Sequence, residues 1–554
     1  MNLLTARKGT GFDRFDALVL AAYIAVLAFA IHHYLPFSDE AQAWLIARDS
    51  SLHEMLFRRL HYEGGPALWP LILWVAIRLH MPYSGINWMA GAFALPGIYL
   101  LLRFSPFPRI FRWLMPFTFF LQYQYAVVAR PYVFVAVLLF TMCILFTLAR
   151  PQPVLFALAA GLLANISLHA AIVAGIFCLL YLYELYRPQR ESPVAAPARS
   201  VLAGAGLFLL LALCSAAAAF PAPDAAIAFT PSKTVMKPRP LLRKLIPEER
   251  LPPSAPPLDR PLDSNGEPAK PPPAISPIIR SAVFAVVIGG SAACYPIATS
   301  NLLAIGFLTS FWLWLWSRGS LRLLSPFLIS VLLSVQIFVL AHHTGIFLLT
   351  LVAAAWIALD IPVDRRFAGT HSAWIQPVFT VIALVVVVLQ IGWSYHCIHS
   401  EVYMPPDPGR ETEAFLAQNF SGKRIAGFGF ESVSTQAYAP HSLFFNQPHA
   451  YWVWSVNVST DRRRSETLRQ HPDVVVADDF FTREDSIFNQ WHPFIPAGLR
   501  TYVQMIQFWQ HNGYRETHRF CGDRFIRLGV EDTFCEVILE PGPSTNAPMP
   551  QPVR

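Results

Sequence analysis

Asp39 and Glu40 stand directly after Pro36, where the first apolar run of the chain ends. A carboxylate at the bilayer centre costs roughly 2.5–3.5 kcal/mol, so a pair at the mouth of a span is cheap to hold and easy to use. Such a pair can accept a proton or bind a cation. Arg130, Arg58 and Arg59 offer planar donor forks suited to phosphate oxygens. His169, His342 and His343 can donate to phosphate or shuttle protons. Trp44, Tyr62, Trp69 and Tyr132 supply aromatic surface suited to sugar faces or acyl chains, although interfacial Trp and Tyr are usually belt anchors. Carboxylates beside cationic groups suit a reaction that takes a proton from an alcohol and expels a phosphate.

The stretch around the acids is Phe37–Pro66, a concentrated charged segment. Glu40, Trp44 and Arg48 recur at i, i+4, i+8 and predict a short helix lying in the interface. Asp39 would be the base, and Glu40 would position Arg48 or the acceptor; the plain alternative is that Asp39 caps this helix. Arg58 and Arg59 have their own alternative, pairing with Glu54 and Glu63.

These groups need a membrane scaffold. Hydrophobic residues are 54% of the 554-residue chain and charged residues only 14%, which is the balance of a polytopic membrane protein. Residues 398–554 hold 14 Lys/Arg against 18 Asp/Glu, leaving 28 against 17 for the membrane part. A basic membrane half fits cytoplasmic loops facing anionic lipid, and nothing resembles a nucleic-acid patch. The basic N-terminus precedes a span without a cleavage pattern, which reads as a signal anchor with a cytoplasmic N-terminus.

Thirteen apolar segments can be drawn: 16–35, 66–80, 85–103, 110–128, 131–149, 153–169, 170–186, 200–221, 279–297, 299–317, 322–341, 344–360 and 374–396. Segment 66–80 is too short to span, and 279–297 is broken by Gly289-Gly290-Ser291. With those two in the interface or re-entrant, eleven spans remain. Arg103/Arg109/Arg112, Arg150, Arg187/Arg190/Arg199, Arg318/Arg322 and Arg365/Arg366 then face the cytoplasm. Under this count Asp39/Glu40, Arg130-Pro131-Tyr132, Asn165/His169 and His342-His343 all reach the external face.

The expected organisation is a transmembrane module over 1–396, with the acidic external loop at 37–65 and a Pro-rich external loop at 222–277. The latter carries 14 prolines between Pro231 and Pro277 and reads as a connector. Residues 397–540 predict a small extracytoplasmic α/β domain, with a helix at Glu411–Asn419 and strands at Arg424–Phe430, Val474–Ala477 and Phe525–Leu528. The tail 541–554 reads as disordered. Asp478-Asp479 looks like a metal motif without further ligands and is assigned to the surface. Cys521 and Cys535 would meet in a hairpin if an oxidising compartment pairs them; the spacing leaves that open.

Asp39-Glu40-Ala41 with Ile46-Ala47-Arg48, followed by Glu63-Gly64-Gly65-Pro66 and an aromatic-rich apolar segment, resembles the first external loop of GT-C membrane glycosyltransferases. The look-alikes are bacterial relatives of protein O-mannosyltransferases and of the lipid A aminoarabinose transferase. Arg130-Pro131-Tyr132 resembles the family's Arg at its second external turn, and His343 with Gly345 a later His-x-Gly. Two departures stand out: RPYVFVAV has no second acid after Arg130, and the loop reads Gly64-Gly65-Pro66 where relatives often have His/Lys-Pro-Pro.

The resemblance implies a sugar donor carried on a polyprenyl phosphate, inverting transfer and an unknown envelope acceptor. It implies an integral protein of the bacterial inner (plasma) membrane, with the C-terminal domain periplasmic. Asp39 and Glu40 would be catalytic, and Arg130, Arg58, Arg59 and His343 would bind the donor phosphate. Trp44, Arg48, Tyr62, Glu63, Tyr132, His169 and His342 would contact substrate. No metal ligands are assigned; no cofactor is certain, and a divalent cation stays open. Two other readings stay open: a lipid-linked sugar transporter or flippase, and a membrane protein whose external domain binds a partner. Against the transporter, the middles of 131–149 and 374–396 are nearly free of ionisable groups.

Overall fold

The computed structural model describes residues 12–186, 197–225, 289–334, 339, 341–361, 374–404, 407–455, 460–482, 505–526 and 529–542. Among them six helices are long and apolar enough to cross a bilayer: Arg14–His33, Tyr83–Phe104, Leu168–Tyr186, Ala198–Ala219, His342–Asp360 and Ile375–Tyr403. Shorter apolar helices run over Leu68–Arg78, Pro131–Thr147, Pro153–Ala164, Asn301–Ser317 and Leu321–Ser334. Most of segment 279–297, the Pro-rich loop beyond Ala225, and nearly all of the tail lie outside the described residues.

The first helix, α1 (Arg14–His33), sets the two ends of the bundle. Asp13 caps it by accepting from the N–H groups of Phe15 and Asp16, at 2.9 and 3.0 Å, and Asp16 reaches back to the Asp13 N–H at 3.2 Å. At this end Arg109 pairs with Asp13 at 3.2 Å, and Arg112 pairs with Asp16 at 3.4 Å with both side chains fully buried. Twenty residues later, about 30 Å along the axis, Tyr34 ends the helix. The later helices keep the same polarity. Glu184 pairs with Arg322 at the far end of the helix that begins near His169. Arg318 donates to the Ala358 carbonyl at the far end of the helix that carries His342. Arg109, Arg112, Arg318 and Arg322 thus lie at one end, the basic end, and the histidines lie with Arg130 at the other.

Segment 110–128, expected to be one span, is not one helix. It breaks into an α-helix at Arg109–Leu114, a 3-10 turn at Met115–Phe117 and a π-helical turn at Phe119–Gln124. Pro116 removes a donor and starts the break. Phe119 to Ala129 are all buried, so the irregular backbone is sheathed in protein rather than lipid. The last apolar helix also differs, continuing past 396 to Tyr403 because no proline interrupts it before Pro405.

After that helix comes a four-stranded sheet in the order β1-β2-β4-β3. Here β1 is Ile425–Phe428, β2 Val474–Thr482, β3 Tyr514–Ile526 and β4 Gly529–Pro541. β1 and β2 are parallel and the other pairs antiparallel. Alternation along β2 feeds two faces: Val475 and Ala477 pack with Trp509 and Val537, while Val474 and Val476 pack with Leu416 and Ile538. Cys521 and Cys535 face each other in the β3–β4 register with Cα atoms 4.0 Å apart and are joined by a disulfide.

Asp478-Asp479 is not surface, contrary to the expectation. Asp478 is fully buried and accepts from the N–H groups of Glu431 and Ser432 at 2.6 and 3.1 Å, while Asp479 pairs with Arg519 at 2.5 Å. The strand that buries the valines carries these acids inward, where backbone donors hold Asp478 and the Arg519 guanidinium holds Asp479.

Candidate active site

The helix expected after the first span forms as α2 (Ser38–Asp49). Its N-cap is Phe37, so Asp39 is not the cap; Glu40 at the third position reaches back to the Phe37 N–H at 3.1 Å. Both acids lie in the first turn, where the helix dipole favours negative charge.

Their fates differ. Glu40 is fully buried and accepts four hydrogen bonds. Tyr34 Oη (2.6 Å) and the Phe37 N–H point to one oxygen; Asn87 Nδ2 (2.8 Å) and the Ala129 N–H (2.6 Å) point to the other. Burial pushes its carboxyl up to about 7, against the pull of those donors. Glu40 therefore ties α2 to the broken segment before Arg130. Contrary to the expectation that it would position Arg48, it makes no contact with that side chain; Arg48 pairs with Asp49 at 2.7 Å and donates to the Ala439 carbonyl at 2.7 Å. All four Glu40 bonds are local to its two oxygens, leaving none to reach eight positions along α2.

Asp39, one residue earlier, points out of this network and keeps 37% side-chain exposure. Its Oδ2 lies 2.9 Å from Arg130 Nη1. Arg130 follows the buried irregular segment, and its guanidinium stands 5.6 Å over the Tyr132 ring. The same Nη1 is 3.4 Å from His342 Nδ1. Behind it rings pack in series: Tyr125 stacks on Tyr132 at 5.3 Å, His342 meets His343 tilted at 59° and 4.2 Å, and His343 stacks on His169 at 4.1 Å. Tyr125 Oη donates to the His342 carbonyl at 2.5 Å. Gly345 lets this contact form, because a Cβ there would run into Phe120 and the Tyr125 hydroxyl.

Glu63 joins from the end of the acidic loop. Gly64, at φ +64°, closes the turn over Leu60–Glu63 through its N–H to the Leu60 carbonyl at 3.0 Å. Gln42 Nε2 donates to Glu63 Oε1 at 2.7 Å. Glu63 keeps partial solvent access, yet the surrounding protein raises its carboxyl to about 7, the Gln42 bond opposes this, and the Asp39 charge adds to it.

Residues from four distant parts of the chain thus meet: Asp39, Glu40 and Glu63; Arg130 and Tyr132; His169; His342 and His343. Others named from sequence stand apart. Trp44 is 4% exposed and packs on Tyr83 in the core, because its stripe is the face that α2 buries. Arg59 pairs with Glu54 and contacts His449 at 3.0 Å, as its alternative reading had it for Glu54, and Arg58 is exposed. Tyr62 donates to Asp224 at 2.8 Å. Among the described residues no three of His, Cys, Asp and Glu are disposed to hold a metal ion.

Sequence reasoning missed the residues that support the site. Glu401 is buried at the end of the last apolar helix and accepts from Tyr123 Oη. Its signal was there, an acid at the end of a long apolar run, but the domain boundary drawn at 397 assigned it elsewhere. Ser38 Oγ donates to Glu431 at 2.6 Å, and the Gln42 amide exchanges two bonds with the Trp452 backbone, at 2.7 and 2.8 Å. The C-terminal domain therefore docks directly on α2.

No family model matches the chain, and no curated protein matches it. Among solved structures it is similar to the cryo-EM structure of the arabinofuranosyltransferase AftD from Mycobacteria, at 12% identity and a TM-score of 0.41, over 98% of this chain and 41% of that one. A mutant of the same enzyme matches at 12% identity and a TM-score of 0.38, over 97% of this chain and 42% of that one. The chain spans about two fifths of AftD's length.

Proposed function

We propose that the chain is a membrane glycosyltransferase that moves a sugar from a polyprenyl-phosphate donor to an envelope acceptor at the external face, with inversion at the anomeric carbon. The observation that carries this reading is the Asp39–Arg130 pair at the histidine end of the bundle, opposite the basic end. In the resting pair the Asp39 carboxylate sits against one guanidinium nitrogen of Arg130, a geometry that supports oxyanion binding at this side chain. A donor phosphate competes for the same fork, and its binding releases Asp39 beside the acceptor.

In the transfer step the acceptor oxygen attacks the anomeric carbon from the face opposite the phosphate. The carbon–oxygen bond to phosphate breaks and its electron pair leaves with the lipid phosphate. Asp39 takes the hydroxyl proton, and the charge gathering on the leaving phosphate is met by Arg130 and by donation from His342. Tyr132 holds the guanidinium plane by its ring face. Glu40 acts through position, fixing α2 against the Ala129 backbone next to Arg130.

An apolar cavity supports a lipid-linked donor. Its lining runs from Phe107 and Phe111, near the basic end, past Trp314 and Phe379 to Phe120, which packs against Gly345 beside the histidines. An isoprenoid chain placed there buries its apolar length while its phosphate stays at the polar end. The test is direct: purified protein incubated with radiolabelled polyprenyl-phosphate sugars should release lipid phosphate and transfer label. Donor left intact across mannose, arabinose and aminoarabinose carriers, with membrane extract as acceptor, would overturn the reading.

A further inference from the structure

Three aromatic side chains gather on the C-terminal domain where it meets α2. The rings of Phe430 and Trp454 are 4.8 Å apart at 48°, and those of Trp452 and Trp454 are 6.2 Å apart at 62°. All three are half-buried. The Arg463 guanidinium stands 5.8 Å over the Trp452 ring. Trp509 of the same domain is fully buried, whereas Phe430 and Trp452 pack only partly buried against the cluster that α2 shares with the domain, leaving ring surface open to solvent.

What fixes them is the acidic helix itself. Phe430 precedes Glu431, which holds Ser38; Trp452 is held through both its backbone groups by Gln42. Ser38 and Gln42 lie on either side of Asp39 and Glu40. Gln42 also binds Glu63, so one amide links the aromatic cluster to a carboxylate that feels the Asp39 charge. The cluster is therefore registered to Asp39 from two sides.

The chemistry of the patch selects its ligand. Half-exposed rings with two rotatable bonds present π faces at little entropic cost, and their negative faces attract the weakly positive C–H bonds of a sugar ring. Hydroxyls at the ring edge can donate to Glu63 and accept from Arg463. The carboxylates Asp39 and Glu63 are matched by the guanidiniums Arg130 and Arg463, so net charge does not draw an anionic ligand and the ring faces favour a neutral sugar.

We propose that Phe430, Trp452 and Trp454 form an acceptor subsite that stacks a neutral sugar unit of a glycan and presents its hydroxyl to Asp39. This rests on the transfer reading for its role, but the binding stands or falls by itself. The experiment is saturation-transfer NMR on the full chain in lipid nanodiscs, with the methyl glycosides of mannose, galactose and arabinose as probes and glucose 1-phosphate as the anionic control. At least one neutral glycoside should bind saturably, more tightly than the control. Trp454→Ala should weaken it roughly tenfold, and Trp454→Phe should retain part of it. Trp454→Phe keeps the test valid if the alanine variant misfolds. Absence of saturable binding by all three glycosides, or equal binding in both Trp454 variants and the parent, would overturn the subsite. Glycoside binding without donor turnover would instead keep the subsite and remove the transfer reading; donor turnover without glycoside binding would do the reverse.

Discussion

Ser38 and Glu431 are 393 positions apart in sequence, and the hydroxyl of one donates to the carboxylate of the other at 2.6 Å. This bond sits one residue from Asp39, so the C-terminal domain helps to set the direction of the first turn of α2. Ser38→Ala should lower stability by about 1 kcal/mol, the usual net worth of such a bond. Turnover should fall several-fold, with faster hydrogen exchange at the amides of Glu431 and Ser432. Unchanged exchange and unchanged turnover would show that the contact does not position the loop.

Glu40→Gln should be more damaging than an isosteric change suggests. Either orientation of the new amide sets its NH2 against at least one N–H donor, from Phe37 or from Asn87 and Ala129. A buried donor left without an acceptor costs about 1–3 kcal/mol. The thermal midpoint should drop, and activity should fall with it through misplacement of Asp39. A fully stable Glu40→Gln protein would refute the anchoring role.

Stability should depend on pH through acids outside the spans that the protein wholly or partly shields from solvent. Glu40, Glu63 and Glu536 each have carboxyls raised from 4.5 to about 7, with burial as the leading cause. Between those values the unfolded chain has already lost the proton that the folded chain keeps. Stability contributed by the protonated forms is thus complete below about 4.5, declines as pH rises towards 7, and is gone above it. Thermal midpoints measured from pH 5 to pH 8 should fall, and Glu536→Gln should flatten the slope. A rising midpoint over that range would contradict the assignment.

The motif-bearing groups were legible because each stands beside an apolar run: Asp39 after the first span, Arg130 before another, the histidines near the starts of two more. Alternation of charge along the chain then brings them to one end. Their partners were not legible for a physical reason. Gln42 with Trp452, and Ser38 with Glu431, meet only after a second domain docks, and no spacing rule reaches across 400 residues. The Glu40–Trp44–Arg48 stripe was visible, but periodicity does not say whether a stripe faces substrate or core. The break in 110–128 was also hidden, since an apolar run with one proline reads as a span until its buried setting is known.

Gly345→Ala probes the histidine end. The added methyl would meet Phe120 and the Tyr125 hydroxyl, and overpacking of this kind costs typically about 1–3 kcal/mol. Because Tyr125 holds the His342 carbonyl, the shift should reach the Arg130–His342 contact. The donor KM should rise more than kcat falls. Normal donor KM in a folded variant would separate His342 from phosphate binding.

The sharpest test concerns Asp39. Asp39→Asn keeps size and a hydrogen-bonding oxygen but cannot accept a proton, and general-base catalysis is typically worth about 10²–10⁴-fold. Turnover should fall by that order. The same change breaks the 2.9 Å pair with Arg130, whose side chains are 37% and 20% exposed. An ion pair of that exposure contributes about 0–1 kcal/mol, so the thermal midpoint should barely move. The capping explanation makes no such demand, since Phe37 is the cap residue and Glu40 makes the reach-back bond. Arg130→Lys adds a second handle: it keeps the charge on Asp39 but replaces a planar fork with a point charge, so donor affinity should weaken while proton acceptance survives. The pair of variants therefore divides the roles, with Asn at 39 lowering kcat and Lys at 130 raising the donor KM. Near-normal kcat in a folded Asp39→Asn protein would end the base assignment and leave the ion pair as scaffold.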